Sequence, residues 1–168
     1  MSRLRLALLT AEHGVASFDC DNDQLTSWLI RHALASQRAD LARTYLALDA
    51  KQVIGYVSLT TGSVRRDEAP KRYVRGMPAY PIPTILIARL AVDRHHQGRR
   101  LGSRLLAEAL CLAVTASDAA AARLVVVDAI DERAAAFYRK WGFIEVPENP
   151  LRLYRKLSDI RNSQSASA

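Results

Sequence analysis

The chain has 168 residues, 49% of them hydrophobic, and a mean hydropathy of −0.06, values that predict a soluble globular protein and exclude disordered and fibrous classes. No apolar run approaches the about 18 residues that a membrane-spanning helix needs, so we expect no membrane contact. The net charge of +7, with a pI near 9.8, leaves two interpretations open: an ordinary solvated surface, or a polyanionic partner such as nucleic acid.

Hydrophobic periodicity predicts one domain over residues 1–157 that contains a strand, a helix, three strands, a helix, a strand, a helix and a final strand. These elements occupy residues 3–9, 21–38, 44–49, 53–64, 84–92, 101–116, 123–128, 130–141 and 143–157. Asp21 or Asn22 is the expected N-cap of the first helix. Residues 65–83, with Gly76 and several prolines, are predicted to form a loop at a substrate site. The serine-rich tail, residues 158–168, is expected to be disordered.

The segment from Arg89 to Gly102 joins a buried strand to a long helix through a basic, glycine-bearing turn. Backbone N–H groups at the start of a helix lack partners inside it, and Gly98 and Gly102 allow close approach, so a pyrophosphate would fit there. The same connection is also common in α/β domains that bind nothing. Neither the P-loop pattern nor the dinucleotide pattern G-x-G-x-x-G is present, so the spacing alone leaves both interpretations open.

The six residues Gln97-Gly98-Arg99-Arg100-Leu101-Gly102 resemble the Q/R-x-x-G-x-G/A motif with which the GNAT family of N-acetyltransferases binds the pyrophosphate of acetyl-coenzyme A (acetyl-CoA). Arg100 replaces the first family glycine, and we expect it to add a charge-assisted bond to a phosphate. The resemblance implies cofactor contacts along the end of the strand, the turn and the first helical turn, at Leu90, Ala91, Val92, Gln97, Gly98, Arg99, Arg100, Leu101, Gly102 and Ser103.

The helix predicted over 130–141 carries a second family signature, N-x-x-A-x-x-F-Y-x-x-x-G-F. It is matched at Ala134, Phe137, Tyr138, Gly142 and Phe143, with Asp131 in place of the asparagine. From the residues alone, Tyr138 would belong to an apolar stripe in the core. The resemblance makes it the general acid that protonates the departing thiolate, because a phenol with a pKa near 10 is protonated at neutral pH. It also implies cofactor contacts from Ala134, Phe137 and Asp131, although capping the helix is the alternative role for Asp131.

Segments along residues 10–157 resemble, more narrowly, the acetyltransferase toxins of bacterial type II toxin–antitoxin pairs. They include Phe18-x-Cys20 followed by Leu25-x-x-Trp28-Leu29, Arg43-Thr44-Tyr45, Gly55-Tyr56-Val57-Ser58-Leu59, Ile82-Pro83 and Arg89-Leu90-Ala91-Val92-Asp93. Two family glycines in these segments are replaced, by Asp21 and by Ala88. The resemblance implies the GNAT fold, an α/β (α+β) class with a central mixed, mostly antiparallel twisted sheet of six to seven strands flanked by about four helices.

The same resemblance implies the activity and the partners. Such toxins acetylate the α-amine of aminoacyl-tRNA by direct transfer in a ternary complex and so inhibit translation. They are neutralised by a ribbon-helix-helix antitoxin. We therefore expect a cytoplasmic, homodimeric enzyme with acetyl-CoA as cosubstrate. The isolated Cys20 and Cys111 have no metal-ligand spacing, and no metal is expected.

The acceptor class can also be approached from the acidic residues. Asp49, Asp93 and Asp128 lie at predicted strand ends, and none is a strong candidate for a general base. An α-amine, with a pKa of about 7.7 to 8.0, is already partly neutral, whereas a lysine amine at about 10.4 needs a base. An α-amine substrate therefore fits. Alternatives are a GNAT enzyme that acetylates a protein N-terminus or a small amine, and a non-catalytic basic module that binds nucleic acid.

Four basic residues are candidates for contacting tRNA. Lys71, Arg72 and Arg75 lie in the predicted loop, where they could follow phosphates. Arg89 shares a strand face with apolar residues, and a charge buried there is unfavourable unless it meets a phosphate or an internal carboxylate. Both interpretations of Arg89 stay open from the sequence.

Overall fold

The seven strands of the computed structural model, which describes residues 4–167, form one sheet in the order β1-β2-β3-β4-β5-β7-β6. The strands are β1 (Leu6–Leu8), β2 (Arg43–Asp49), β3 (Gln52–Val64), β4 (Ile82–Val92), β5 (Leu124–Asp128), β6 (Ile144–Val146) and β7 (Asn149–Lys156). The helices are α1 (Asp23–Arg31), α2 (Ala33–Arg38), α3 (Lys71–Val74), α4 (Leu101–Ala119), α5 (Glu132–Lys140) and α6 (Leu157–Ala166).

Strand pairing confirms the expected mixed, mostly antiparallel sheet. β4 and β5 run parallel and pair over Thr84–Ile87 and Leu124–Val127, and β4 then continues to Val92 beyond the last residue that pairs with β5. The pairs β1–β2, β2–β3, β5–β7 and β6–β7 are antiparallel. Six helices are present in the described residues, where hydrophobic periodicity predicts three and the family resemblance implies about four. The increase from three to six arises because one predicted helix is split into α1 and α2, and because α3 and α6 lie in segments predicted to be irregular.

The described residues group into two compact units. The first contains the residues up to Thr60 together with Ala88–Cys111, and the second contains Thr61–Ile87 and the residues from Leu112 onward. The core of the first unit includes Leu9, Phe18, Leu29, Leu46, Tyr56 and Ala91. The core of the second includes Val64, Tyr73, Val74, Leu124, Val126 and Tyr154. The predicted single domain over 1–157 stays a prediction.

The first predicted helix is divided at His32. Asn22, not Asp21, is its N-cap, and its side chain accepts a hydrogen bond from the backbone N–H of Leu25 at 2.9 Å. His32 has φ −125° and ψ −26°, values outside the helical region, so α1 ends there and α2 begins. Hydrophobic spacing carries over this break because His32 N still donates to Trp28 O, which explains why a single helix was predicted.

Two segments predicted to be irregular contain helical structure. The loop predicted over 65–83 holds a short 3₁₀ turn at Arg66–Glu68 and the helix α3, in which Tyr73 and Val74 are buried. The tail predicted to be disordered is instead helical over Leu157–Ala166. Burial of Leu157 and Ile160, three residues apart on one helix face, provides the apolar contact that stabilises α6.

The two ends of the predicted strand pattern also differ in detail. The first strand covers Leu6–Leu8, and Arg3, where it was expected to begin, lies outside the described residues, as does Ala168 at the end of the tail. The single strand predicted over 143–157 is a hairpin of β6 and β7, which pair with an irregularity between Glu145 and Val146. Pro147 and Glu148 connect the two strands.

Candidate active site

The predicted site residues are distributed over both units. The first unit holds Arg89, Leu90, Ala91, Val92, Gln97, Gly98, Arg99, Arg100, Leu101, Gly102 and Ser103. The second holds Lys71, Arg72, Arg75, Asp131, Ala134, Phe137 and Tyr138.

The cofactor turn, residues 93–100, connects the end of β4 to the start of α4. Gly98 has φ +78°, a left-handed conformation that glycine adopts without steric cost, and a Cβ there would meet nothing within 4 Å. Arg100 has φ +59°, and its side chain is exposed. The backbone therefore explains why the family motif has glycine at the position of Arg100, and the exposed side chain avoids a clash.

Asp21 shows the same departure. It replaces a family glycine, and it too is left-handed, with φ +63°. A left-handed conformation costs a residue other than glycine about 1–2 kcal/mol, and less for aspartate, whose side chain can bond locally. Here the Asp21 backbone N–H donates to Asp19 Oδ1 at 2.9 Å. The third departure, Ala88, lies within β4, where no unusual φ is required.

The start of α4 offers the donors that a pyrophosphate needs. The first bond between the turn and the helix is donated by Arg104 N to Arg100 O at 3.1 Å, so the N–H groups of Leu101, Gly102 and Ser103 precede the helical ladder. These donors lie at the positive end of the helix dipole. Arg99 and Arg100 add two exposed positive charges. The donor set therefore fits the pyrophosphate of acetyl-CoA.

Asp93, the first residue of the cofactor turn, holds the turn through hydrogen bonds to its side chain. The residue is 3% exposed, and its carboxylate accepts hydrogen bonds from His95 N at 3.0 Å, His96 Nδ1 at 3.2 Å and Asp19 N at 3.5 Å. Burial raises the pKa of this carboxyl, but the three hydrogen bonds outweigh burial, so the pKa lies below its ordinary value. Asp93 is therefore ionised and engaged, which does not suit a general base.

Gln97 positions the turn with its side chain. Its Nε2 donates to Val92 O at 3.0 Å and to Cys20 O at 3.1 Å, so both amide hydrogens are used inside the protein. Arg94 N donates to Asp19 O at 2.8 Å in the same region. The segment Asp19–Cys20 therefore ties the cofactor turn to the start of α1, and sequence reasoning did not identify this role.

Arg89 lies against an aromatic column. Its guanidinium carbon is 4.0 Å from the centroid of the Trp28 ring, and Trp28 stacks on Tyr56 with centroids 6.1 Å apart and an interplanar angle of 17°. Within residues 4–167 the guanidinium has no carboxylate partner, so the internal ion pair considered from the sequence is not formed. Trp28 was recognised only as part of a resemblance, because α1 and β4 are far apart in the chain.

The helix α5 is fixed at both ends. Asp131 caps its start by accepting a hydrogen bond from Ala134 N at 2.8 Å, which confirms the capping role. At its end, Gly142 has φ +91°, Gly142 N donates to Arg139 O at 3.1 Å, and Phe143 N donates to Tyr138 O at 3.2 Å. This pair of bonds is the Schellman motif, so the signature glycine holds the turn that follows Tyr138.

The Tyr138 ring is packed by its neighbours. Phe137 and Phe143 contact it edge to face, with centroids 5.2 Å and 5.7 Å away. Only 8% of the residue is exposed, and burial raises the pKa of Tyr138 to about 12. The hydroxyl has no hydrogen-bond partner among the described residues. Tyr138 is thus a protonated, unengaged phenol, which suits a proton donor and not a base.

The charged groups of the second unit that sequence reasoning singled out are paired or exposed. Asp128 forms a bidentate pair with Arg152 at 2.7 and 2.8 Å, so it is not a free base. Lys71, Arg72 and Arg75 are exposed on α3 and just after it. Arg72 lies 5.1 Å from the Tyr73 ring centroid and donates to its hydroxyl at 3.3 Å.

No helix in the described part of the chain could cross a membrane.

A family model described as "Acetyltransferase (GNAT) domain" matches residues 40–145 of this chain. The chain belongs to the GNAT acetyltransferase family. This confirms the family resemblance, the fold and the enzyme class expected from the motifs at Gln97–Gly102 and Tyr138.

Relatives of this GNAT enzyme have more specific names. A "tRNA-acetylating toxin" of Mycobacterium tuberculosis is 39% identical over 147 residues, with 88% of each chain covered. The solved structure of AtaT complexed with acetyl-methionyl-tRNAfMet superimposes with a TM-score of 0.88 at 30% identity, covering 95% of this chain and 98% of that one. A tyrosine-to-phenylalanine variant of AtaT, bound to the C-terminus of the antitoxin AtaR and to acetyl-CoA, gives a TM-score of 0.81 at 30% identity, covering 96% and 98%.

Proposed function

We propose that this GNAT enzyme transfers the acetyl group of acetyl-CoA to the α-amine of aminoacyl-tRNA and thereby inhibits translation. The observation that carries the proposal is the 39% identity, across nearly the full length of both chains, to a protein named for tRNA acetylation. The AtaT structure with acetyl-methionyl-tRNAfMet supports the same acceptor class. The geometry of each unit supports acetyl transfer to an amine that needs no general base.

The cofactor turn and the start of α4 would hold acetyl-CoA. When bound, acetyl-CoA supplies an acetyl thioester and a thiol leaving group. Gly98, Arg99 and Arg100 would surround the pyrophosphate with the N–H groups of Leu101, Gly102 and Ser103. Leu90, Ala91 and Val92, at the end of β4, and Asp131, Ala134 and Phe137, on α5, are proposed to line the rest of its length. Gln97 contributes by holding the turn in place.

Tyr138 is proposed as the general acid. Its raised pKa keeps the phenol protonated throughout the neutral range, so it can donate a proton to the leaving sulfur. The N–H group near Val92, beyond the part of β4 that pairs with β5, is proposed to stabilise the oxyanion. The transfer is direct, in a ternary complex. In keeping with a role for a tyrosine, one solved structure of AtaT is of a variant in which phenylalanine replaces a tyrosine.

The state of the acidic residues supports an α-amine as acceptor. Asp93 is engaged by three donors, and Asp128 is paired with Arg152, so neither is free to deprotonate an ammonium group. A lysine acceptor, with a pKa of about 10.4, would be almost fully protonated at neutral pH. The α-amine of an aminoacyl ester needs no such base, so aminoacyl-tRNA fits the site better than a lysine side chain.

The partners follow from the same proposal. Lys71, Arg72, Arg75 and Arg89 are proposed to contact tRNA phosphates. A ribbon-helix-helix antitoxin is the proposed inhibitor, and the AtaT complex with the C-terminus of AtaR supports an antitoxin. We further propose a cytoplasmic location, where charged tRNA and acetyl-CoA are both available, and a homodimer.

Acetyl transfer by the purified enzyme tests the proposal. Radiolabelled acetyl-CoA is supplied with individual aminoacyl-tRNAs, with peptides that have free N-termini and with polyamines, and the labelled product is identified by mass. We expect label on the α-amine of at least one aminoacyl-tRNA. Transfer only to peptides or polyamines would replace the proposal by the first alternative. Tight tRNA binding without any transfer would favour the non-catalytic binding module.

A further inference from the structure

We propose that Arg89 and Trp28 form an anion site that binds a phosphate at the acceptor end of the tRNA, with Trp28 as the positioning residue. The inference rests on the proposed function, because it identifies how the acceptor would be held. Both residues lie in the first unit, on β4 and on α1. The observations that carry it are the position of the guanidinium over the Trp28 ring and its lack of an internal counterion.

The stacking geometry leaves the donors of Arg89 available. The Trp28 ring, whose centroid lies 4.0 Å from the guanidinium carbon, offers no lone-pair acceptor, so this contact leaves the five N–H groups of Arg89 without a conventional hydrogen bond. Among the described residues none of these N–H groups has an acceptor. Arginine therefore presents a fork that matches two oxygens of a phosphate.

Burial makes an external anion the expected partner. Arg89 is partly buried, and this desolvation lowers its pKa, an effect that the neighbouring Tyr56 partly opposes. A partly desolvated charge without a counterion is unfavourable, and a cation–π contact of about 0.5–2 kcal/mol offsets only part of that cost. A bound phosphate would supply the missing charge and the missing acceptors together.

The aromatic column explains why Trp28 has a positioning role. Tyr56 stacks on Trp28, receives the edge of Phe18 at 5.5 Å, and donates its hydroxyl proton to Leu25 O at 2.6 Å. These contacts fix the indole relative to α1, and the indole in turn holds the Arg89 guanidinium in position. A flexible arginine would lose more rotamer freedom on binding a phosphate than one that is already held.

The RNA is favoured over the cofactor as the source of the phosphate. The cofactor turn already supplies the start of α4, Arg99 and Arg100 for a pyrophosphate. Arg89 instead lies within β4, four residues before the first residue of that turn, and shares its face of the strand with the buried Ile87 and Ala91. The experiment must therefore distinguish tRNA from acetyl-CoA.

Steady-state kinetics and tRNA binding of Arg89→Gln and Arg89→Lys give the first test. For Arg89→Gln we expect the KM for aminoacyl-tRNA to rise about tenfold or more, as on losing a charged hydrogen bond, with the KM for acetyl-CoA unchanged. Binding of deacylated tRNA should lose about 0.7–0.9 from the slope of log K against log salt, the amount expected for one phosphate contact. Arg89→Lys should retain the slope but not the affinity.

Three results would overturn the inference. An unchanged KM for aminoacyl-tRNA in Arg89→Gln would show that Arg89 does not bind the acceptor. An unchanged salt slope would show that its contact is not with a phosphate. A rise confined to the KM for acetyl-CoA would assign the phosphate to the cofactor. Arg161→Gln is the matched control, since it removes the same charge from an arginine that is paired with Asp118 on α4. If the wild-type enzyme acetylates no aminoacyl-tRNA, the proposed function fails, which is a different outcome from any of these.

A double-mutant cycle tests the role of Trp28. Trp28→Phe keeps an aromatic face and should raise the KM for aminoacyl-tRNA only about two- to threefold, whereas Trp28→Leu should raise it by about as much as Arg89→Lys. In the Arg89→Gln background, Trp28→Leu should have no further effect on this KM, because the indole acts through the guanidinium. Circular dichroism identifies any variant that has not folded. Independent, multiplying effects in folded variants would show that Trp28 does not position Arg89.

Discussion

The two family signatures treat a left-handed backbone differently. At the end of α5, Gly142 keeps the family glycine with φ +91°, and a Cβ built on it would lie 3.1 Å from Arg155 Nε. In the cofactor turn, Arg100 replaces the family glycine at φ +59°, with an exposed side chain. We therefore expect crowding to decide which glycine is required, since φ alone costs a larger residue only about 1–2 kcal/mol. This difference can be tested first at Tyr138, the residue that the crowded turn holds.

Tyr138→Phe should have the largest effect. If the hydroxyl is the general acid, kcat should fall about 100-fold or more, the usual range for a lost proton donor. The ring contacts with Phe137 and Phe143 do not use the hydroxyl, so the midpoint of urea unfolding should change little. Single-turnover acetylation of aminoacyl-tRNA measures the first effect. A kcat within threefold of the wild type would assign the acid to another group.

The pH profile of the wild-type enzyme sharpens the same prediction. An ordinary tyrosine would lose its proton near pH 10, but burial raises the pKa of Tyr138 to about 12. The kcat should therefore stay level from pH 8 to pH 10 and fall only above that range. A fall with a midpoint near pH 10 would mean that the acid is less buried than Tyr138.

Gly142→Ala should destabilise the protein by about 2 kcal/mol, because it combines left-handed strain with crowding against Arg155. Gly76→Ala is the matched control, since Gly76 has a similar φ of +77° but a Cβ there would meet nothing within 4 Å. That control should lose only about 1 kcal/mol. Urea unfolding measures both variants. Equal losses would show that crowding at Gly142 has no energetic effect.

Arg100→Asn should separate backbone strain from phosphate binding. Asparagine tolerates the left-handed region better than arginine, so the free energy of unfolding should rise slightly, by under about 1 kcal/mol. The loss of a positive charge should raise the KM for acetyl-CoA about three- to tenfold. Thermal unfolding and steady-state kinetics measure the two effects. A more stable variant with unchanged KM would make Arg100 a tolerated replacement without a role in binding.

Asp93 should give the smallest effect, one confined to acid pH. Because the folded-state pKa lies below the ordinary value of 3.8, ionised Asp93 stabilises the fold above pH 3.8, and this contribution is lost as pH falls through the lower folded value. The wild-type melting temperature should therefore fall more steeply below pH 3.8 than that of Asp93→Asn, which lacks this titration. Parallel curves for the two proteins would contradict the assignment.

Sequence reasoning worked best where function is encoded by contiguous residues. The turn from Gln97 to Gly102 and the end of α5 at Gly142 and Phe143 each carry their own conformational signal, so the family, the cofactor turn and the helical setting of Tyr138 could be predicted. The fold class followed from the resemblance and the alternation of strands and helices. The precise site assignments, including catalysis by Tyr138, stay predictions.

What the sequence did not predict depends on residues that are distant in the chain. Trp28 on α1 contacts Arg89 on β4, and no local sequence pattern predicts this pair. The helix α6 forms because Leu157 and Ile160 find buried positions, and Arg161 donates to Ser117, although the serine-rich composition indicated disorder. Propensity alone could not predict these contacts, because tertiary packing overrides it.

The bonds that tie the cofactor turn to Asp19 and Cys20 have a consequence for evolution and engineering. Arg94 N and Gln97 Nε2 bond to the backbone carbonyls of those two residues, so almost any side chains there would preserve these two bonds. Conservation of the side chains at Asp19 and Cys20 would therefore not reveal these two bonds, which support the motif. A phosphate-binding segment transplanted from residues 89–102 into another protein would fail unless the host supplied two carbonyl oxygens at the same places.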